Sequence, residues 1–233
     1  DNIDHRLRHS DFSADGKRPG APWLGMKVAE INQLDRLLVI GSFLRKDHPL
    51  FAARLRQAAK HGAQVSAIGG ANDDWLLPLA QRVTVAPSAW VQALADVAAA
   101  VAAETGAAAP VAGNASDAAK AIAASLLSGQ SKAILLGNAA AQHPQASSLQ
   151  ALAQWLAEQT GARFGFLGES ANTVGAQLVG AQPQQGGLNA GQMLGGAALK
   201  ALVLLGVEPE LDAANPSAAL AAAKAAEMVV VLS

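Results

Sequence analysis

A chain of 233 residues with 51% hydrophobic and 15% charged residues can bury a proper core, in one large domain or two small ones, and carries little surface charge. A formal net charge of −1 and 4% aromatics, with no Tyr, exclude a basic or base-stacking surface for nucleic acid. The absence of Cys excludes disulfides, thiolate catalysis, Cys-zinc sites and iron–sulfur ligation by this chain.

The opening "DNIDHRLRHSDFSADGKRPG" is polar and has no apolar core for a signal peptide. No apolar run approaches the roughly 18 residues of a membrane span, so no direct membrane insertion is expected. The chain lacks an initiator Met and stops in the strand-like "MVVVLS", and it reads as part of a longer protein. Residues 1–25 suit an irregular lead-in segment. A short helix is expected over Lys27–Leu34, then a turn at Asp35 and a doubly buried strand from Leu37 to Ile40, ending at Gly41. Pro49 suits the first turn of the next helix, and Leu50, Phe51, Leu55, Ala58 and Ala59 give that helix one apolar stripe. Gly62 stops it, and "AQVSAIGG" is the second strand, parallel to the first through a right-handed crossover. "LPLAQRVTVAP" is read as a short helix and a third strand. "SAWVQALADVAAAVAAETG" is read as a long helix with Ser88 as N-cap.

"AAAPVAGNASDAAK" interrupts the pattern, with Asn114 or Ser116 available to cap the next helix. A domain boundary is expected near residues 107–113, giving lobes 1–109 and 110–233. The α/β pattern restarts in "KAILLGNAAAQHPQASSLQALAQWLAEQTGARFGFLG". A looser Gly/Gln-rich stretch follows, and then "KALVLLGVEPELDAANPSAALAAAKAAEMVVVLS". The expected fold class is α/β, with two Rossmann-like lobes of mostly parallel sheet flanked by helices and the second lobe cut short at its C-terminus.

Three segments share one grammar: "LLVIGSFLRKDHP", "AILLGNAAAQHP" and "ALVLLGVEPELDAANP". Each is a buried strand, a Gly at its C-terminal end, and a loop leading to Pro and a helix. Ligands of open parallel sheets bind beyond such strand ends. Gly41, Gly137 and Gly206 either admit a ligand or another backbone closely, or simply make the turn. No GxGxxG follows a strand and no GxxxxGK[ST] occurs, so a self-sufficient NAD site or an ATPase is not expected.

The stretches "DNIDHR", "VIGSFLRKDHPLFAARLRQAAKHGAQV", "LAQWLAEQTGARFGFLGESANTVGA" and "LLGVEPELDAANP" resemble the molybdopterin oxidoreductase family over nearly the whole chain. Within it they look most like the branch formed by the large iron–sulfur subunits of bacterial NADH–quinone oxidoreductase (complex I). The resemblance implies two α/β lobes that hold a bis-nucleotide pterin cofactor in active members. For the complex I branch it implies iron–sulfur clusters in other regions of the parent and no working pterin here. It also implies a scaffold role among the other peripheral-arm subunits, on the cytoplasmic side of the inner membrane. Active members tend to carry Asn-Pro after the first glycine turn, where this chain has Ser42, Phe43 and Leu44. They usually close the second strand with an acid and Pro, where this chain has Gly69, Gly70 and Ala71. "GVEPEL" keeps the family pattern at Gly206, Glu208 and Pro209, as does "ANTVGA" at Asn172, Thr173 and Gly175. The resemblance therefore makes Gly41, Gly137, Gly206, Glu208 and Asn172 a vestigial cofactor-binding set. The alternative is a working cofactor lobe of a molybdopterin enzyme.

No catalytic constellation emerges. His5 and His9 are four apart, as metal ligands can be, but no third ligand follows. His48 and His143 each precede Pro in corresponding loops, and either face one cleft or pack their turns. Asp73 and Asp74 read as solvated or capping, and Ser147 and Ser148 have no base motif. Arg45, Lys46, Arg54 and Arg56 suit a solvated face, a phosphate or an acidic partner. Trp23, Trp75, Trp90 and Trp155 read as core or interface anchors.

Overall fold

The computed structural model describes residues 1–17, 21–169 and 172–233. The chain divides into two compact units, one of Pro22–Glu169 and one of Asp1–Ala21 with Ser170–Ser233. This corrects the expected boundary near residues 107–113, which falls inside the first of these units.

Pro22–Glu169 holds, in chain order, β1 (Arg36–Ile40), α1 (Leu44–Asp47), α2 (Pro49–Lys60), β2 (Gln64–Gly69), β3 (Gln81–Thr84), α3 (Trp90–Thr105), α4 (Asp117–Ser128), β4 (Lys132–Leu136), α5 (Asn138–Ala141), α6 (Ala146–Thr160) and β5 (Arg163–Phe166). The five strands form one parallel sheet in the order β3-β2-β1-β4-β5, with Leu38 of β1 opposite Ser66 and Ile134. Four successive buried residues in β1 and again in β4 reflect cover on both faces. Because strand side chains alternate, Leu38, Ile40, Ile134 and Leu136 meet α3, α4 and α6 on one face. Leu37, Val39, Ala133 and Leu135 meet Leu55, Ile31 and Trp75 on the other.

Local signals behave as their chemistry requires. Pro49 opens α2, Gly106 ends α3 in the left-handed region, and the Ser116 side chain accepts a hydrogen bond from Ala119 N–H to cap α4. Lys27–Leu34 carries a 3-10 helix at Val28–Gln33. Two readings fail. Residues 76–80 form no helix, and α3 is preceded by a 3-10 turn at Pro87–Ala89, so Ser88 is not its cap. The outer edge of β5 is shielded by residues 22–25, with Phe166 N–H donating to Trp23 carbonyl at 2.8 Å.

The other unit contains α7 (Thr173–Leu178), α8 (Ala190–Leu194), β6 (Ala201–Leu205), α9 (Pro209–Asp212), α10 (Pro216–Ala225) and β7 (Met228–Leu232), with β6 and β7 parallel. Leu202 and Leu204 pack with Leu194, Ala219 and Leu7. The lead-in segment is tied down by charge. The Asp4 carboxylate, its side chain fully buried, receives the Arg6 guanidinium and the Ala190 N–H. Arg6 also grips Asp15 through two nitrogens. Burial pushes the Asp4 carboxyl up, but Arg6 and the Ala190 N–H together outweigh it and hold the group below its ordinary value.

Candidate functional site

In the strand order β3-β2-β1-β4-β5 the chain winds outward in both directions from β1, so the crevice of a doubly wound sheet opens beyond the ends of β1 and β4. Gly41 and Gly137 come together there. Each glycine N–H continues the sheet pairing, Gly41 to Ile68 carbonyl at 2.9 Å and Gly137 to Ile40 carbonyl at 2.8 Å. The two turns are then latched by Ala139 N–H donating to Gly41 carbonyl at 3.1 Å. Gly41 has φ 64°. A methyl added to it would meet Ala140 N at 2.7 Å and the Trp90 ring at 2.8 Å, and one added to Gly137 would fall on Ser42 Cβ. At the switch point the missing side chains therefore make room for the chain itself.

The crossing itself borders a cavity of about 380 Å³ at the ends of β1 and β2, lined by Gly41, Asp47, Trp90 and Ala139 on the side of the crossing and by Phe43, Asp73, Trp75 and Arg82. Gly69 also borders it, with nothing near its Cβ position. The loop that carries Phe43 is closed internally. Ser42 Oγ and Phe43 N–H both donate to Asp47 Oδ2 at 2.9 Å.

His48 and His143 do not line this cavity. His143 is buried against Trp90. Its Nδ1 accepts from Gln145 N–H, so Nε2 carries the proton and donates to Pro87 carbonyl, both at 2.9 Å. His48 stacks on Phe51, and burial lowers its pKa against the pull of the Asp47 carboxylate. The Asn138 side chain beside it also favours the charged form, against the effect of burial. Three of the α1–α2 cations are held by the protein: Arg45 by Asp74 and the Phe43 ring, Arg54 by Asn32, and Arg56 by Leu76 carbonyl. Asp74 also accepts from Leu76 N–H, so it braces its own loop. Trp75 and Trp90 are buried, whereas Trp23 is 53% exposed. His5 Nδ1 donates to Ala181 carbonyl, and among the described residues no three His, Asp or Glu gather to hold a metal.

Gly206, Glu208 and Asn172 belong to the other unit. Gly206 has φ 58° and open space around its Cβ position, and its N–H donates to Leu232 carbonyl at 2.7 Å. Glu208 N–H donates to Asp212 Oδ2 at 2.9 Å. Asn172 Oδ1 caps α7 by accepting from Gly175 N–H at 3.1 Å.

A family model for molybdopterin oxidoreductases matches residues 2–233. The chain belongs to the molybdopterin oxidoreductase family. No curated protein matches it. Membership makes this an oxidoreductase-type domain, and its parallel sheet flanked by helices agrees with the α/β class. Among the described residues no helix is long and apolar enough to cross a membrane. Asp47 and Asp212, which sequence reasoning passed over, stand six residues after Gly41 and Gly206, and that equal spacing was the available signal. The cavity residues Trp75 and Arg82 gave no such signal, because a loop and a third strand bring them to the first turn.

Proposed function

We propose that this chain is a scaffold portion of the large iron–sulfur subunit of a bacterial NADH–quinone oxidoreductase. The parent complex passes electrons from NADH to quinone, and this portion performs no chemistry of its own. The observation that carries the reading is the crossing of Gly41 and Gly137. Backbone and Trp90 fill the space beside these glycines, and the donor at Phe43 already has a carboxylate. The diphosphate of a pterin dinucleotide needs free N–H groups and room at such turns. In this reading the occupied turns no longer grip that group, and Gly41, Gly137, Gly206, Glu208 and Asn172 are vestiges of a cofactor site. In this reading the iron–sulfur clusters are held by other regions of the parent. The neighbours are the other peripheral-arm subunits, on the cytoplasmic side of the inner membrane.

The cavity beside Trp75 and Arg82, with open space at Gly69, favours a second reading as a working cofactor lobe. Metal analysis of the purified full-length parent separates the two. The scaffold reading expects no molybdenum or tungsten in the preparation, together with NADH-dependent quinone reduction by the complex. Stoichiometric molybdenum or tungsten with a guanine dinucleotide overturns it.

A further inference from the structure

The three glycine turns share a feature that reaches both units. In each, the N–H two residues after the glycine is already occupied by the protein. Phe43 N–H holds Asp47, Ala139 N–H holds Gly41 carbonyl, and Glu208 N–H holds Asp212. In two of the three the acceptor is an aspartate at the same place, six residues beyond a glycine with φ near +60° and at the end of a four-residue helix. In the third turn that place is His143, which is engaged elsewhere.

We infer that Asp47 and Asp212 are built-in anions, each seated where a ligand phosphate would take the N–H of its turn, so that both turns turn away diphosphate-bearing ligands. The carboxylate satisfies the donor and sets a negative charge against any incoming anion. Ser42 strengthens the first seat, with its hydroxyl on the same Asp47 oxygen that takes Phe43 N–H. Arg8 fixes Asp212 in the second seat by donating to its Oδ1 at 2.9 Å and offsets its charge, so there the occupied Glu208 N–H carries the exclusion. The Glu208 N–H first, and then Arg8, hold the Asp212 carboxyl below its ordinary value, so it stays charged at neutral pH. This inference rests on reading the cleft as degenerate and is independent of which complex contains the chain.

The test is a titration of the chain with inorganic pyrophosphate, following the backbone amides of Phe43 and Glu208 by NMR. In the wild type neither amide should move. In Asp47→Ala the Phe43 amide should shift and saturate, with Glu208 unchanged. In Asp212→Ala the pattern should reverse. Asp212→Ala keeps the comparison open if Asp47→Ala does not fold. A saturating shift in the wild type overturns the inference, because the seats are then open. So does no shift in a folded variant, because the aspartates are then ordinary helix caps. Neither result bears on whether the parent carries molybdenum.

Discussion

Replacing Gly41 with Ala asks whether the switch point is closed by the chain's own packing. Two costs can be worked out. A φ of 64° disfavours any residue with a Cβ by roughly 1–2 kcal/mol. The new methyl would also lie 2.7 Å from Ala140 N and 2.8 Å from the Trp90 ring, which is buried and stacked on His143. Crowding of that kind costs about 1–3 kcal/mol more. Gly106→Ala is the matched control in the same unit, since its φ is 75° and nothing lies within 4 Å of its Cβ position. It should lose only the backbone part. At about 2–4 °C per kcal/mol for a domain of this size, Gly41→Ala should melt roughly 2–12 °C below Gly106→Ala. Thermal unfolding followed by circular dichroism, with a urea series as a check, measures the difference. Equal melting temperatures would mean that the crossing has room to spare, and the argument that it excludes a ligand would fail.

Arg6→Ala leaves the buried Asp4 carboxylate without its charge partner and should cost about 3–5 kcal/mol, freeing the lead-in segment to proteases. Arg6→Lys should rescue little, because one ammonium cannot reproduce the two forked contacts to Asp4 and Asp15. Limited proteolysis and denaturant midpoints report both. The folded-state pKa of His48 is depressed, so its contribution to stability is present above the ordinary 6.5 and is lost as pH falls through the lower folded value. Imidazole NMR should show His48 titrating below 6.5, and lower still in Asp47→Asn, which removes the carboxylate that favours the charged form.

Much of unit Pro22–Glu169 was legible because its signals are local. The runs of Leu37 to Ile40 and Ala133 to Leu136 are strands buried on both faces, and Pro49 and Ser116 open helices by supplying or sparing a hydrogen bond at the first turn. The recurrence of Gly41, Gly137 and Gly206 after strands marked where the chain turns from strand to helix, and of these Gly41 and Gly137 meet within one unit while Gly206 lies in the other. The break at "AAAPVAG" misled because composition reports only that a segment is irregular. Here it joins α3 to α4, which pack together on one face of one sheet.

The amino-acid order thus determined which segments are strand or helix and which faces they bury, because those follow from side-chain period and backbone chemistry within a few residues. Only the tertiary structure decided that β4 lies beside β1 rather than in a separate lobe, since that pairing joins residues about a hundred apart. The same pairing decided that Gly41 and Gly137 meet each other. Whether a glycine makes room for a ligand or for its own chain depends on what stands opposite, and that neighbour is distant in sequence.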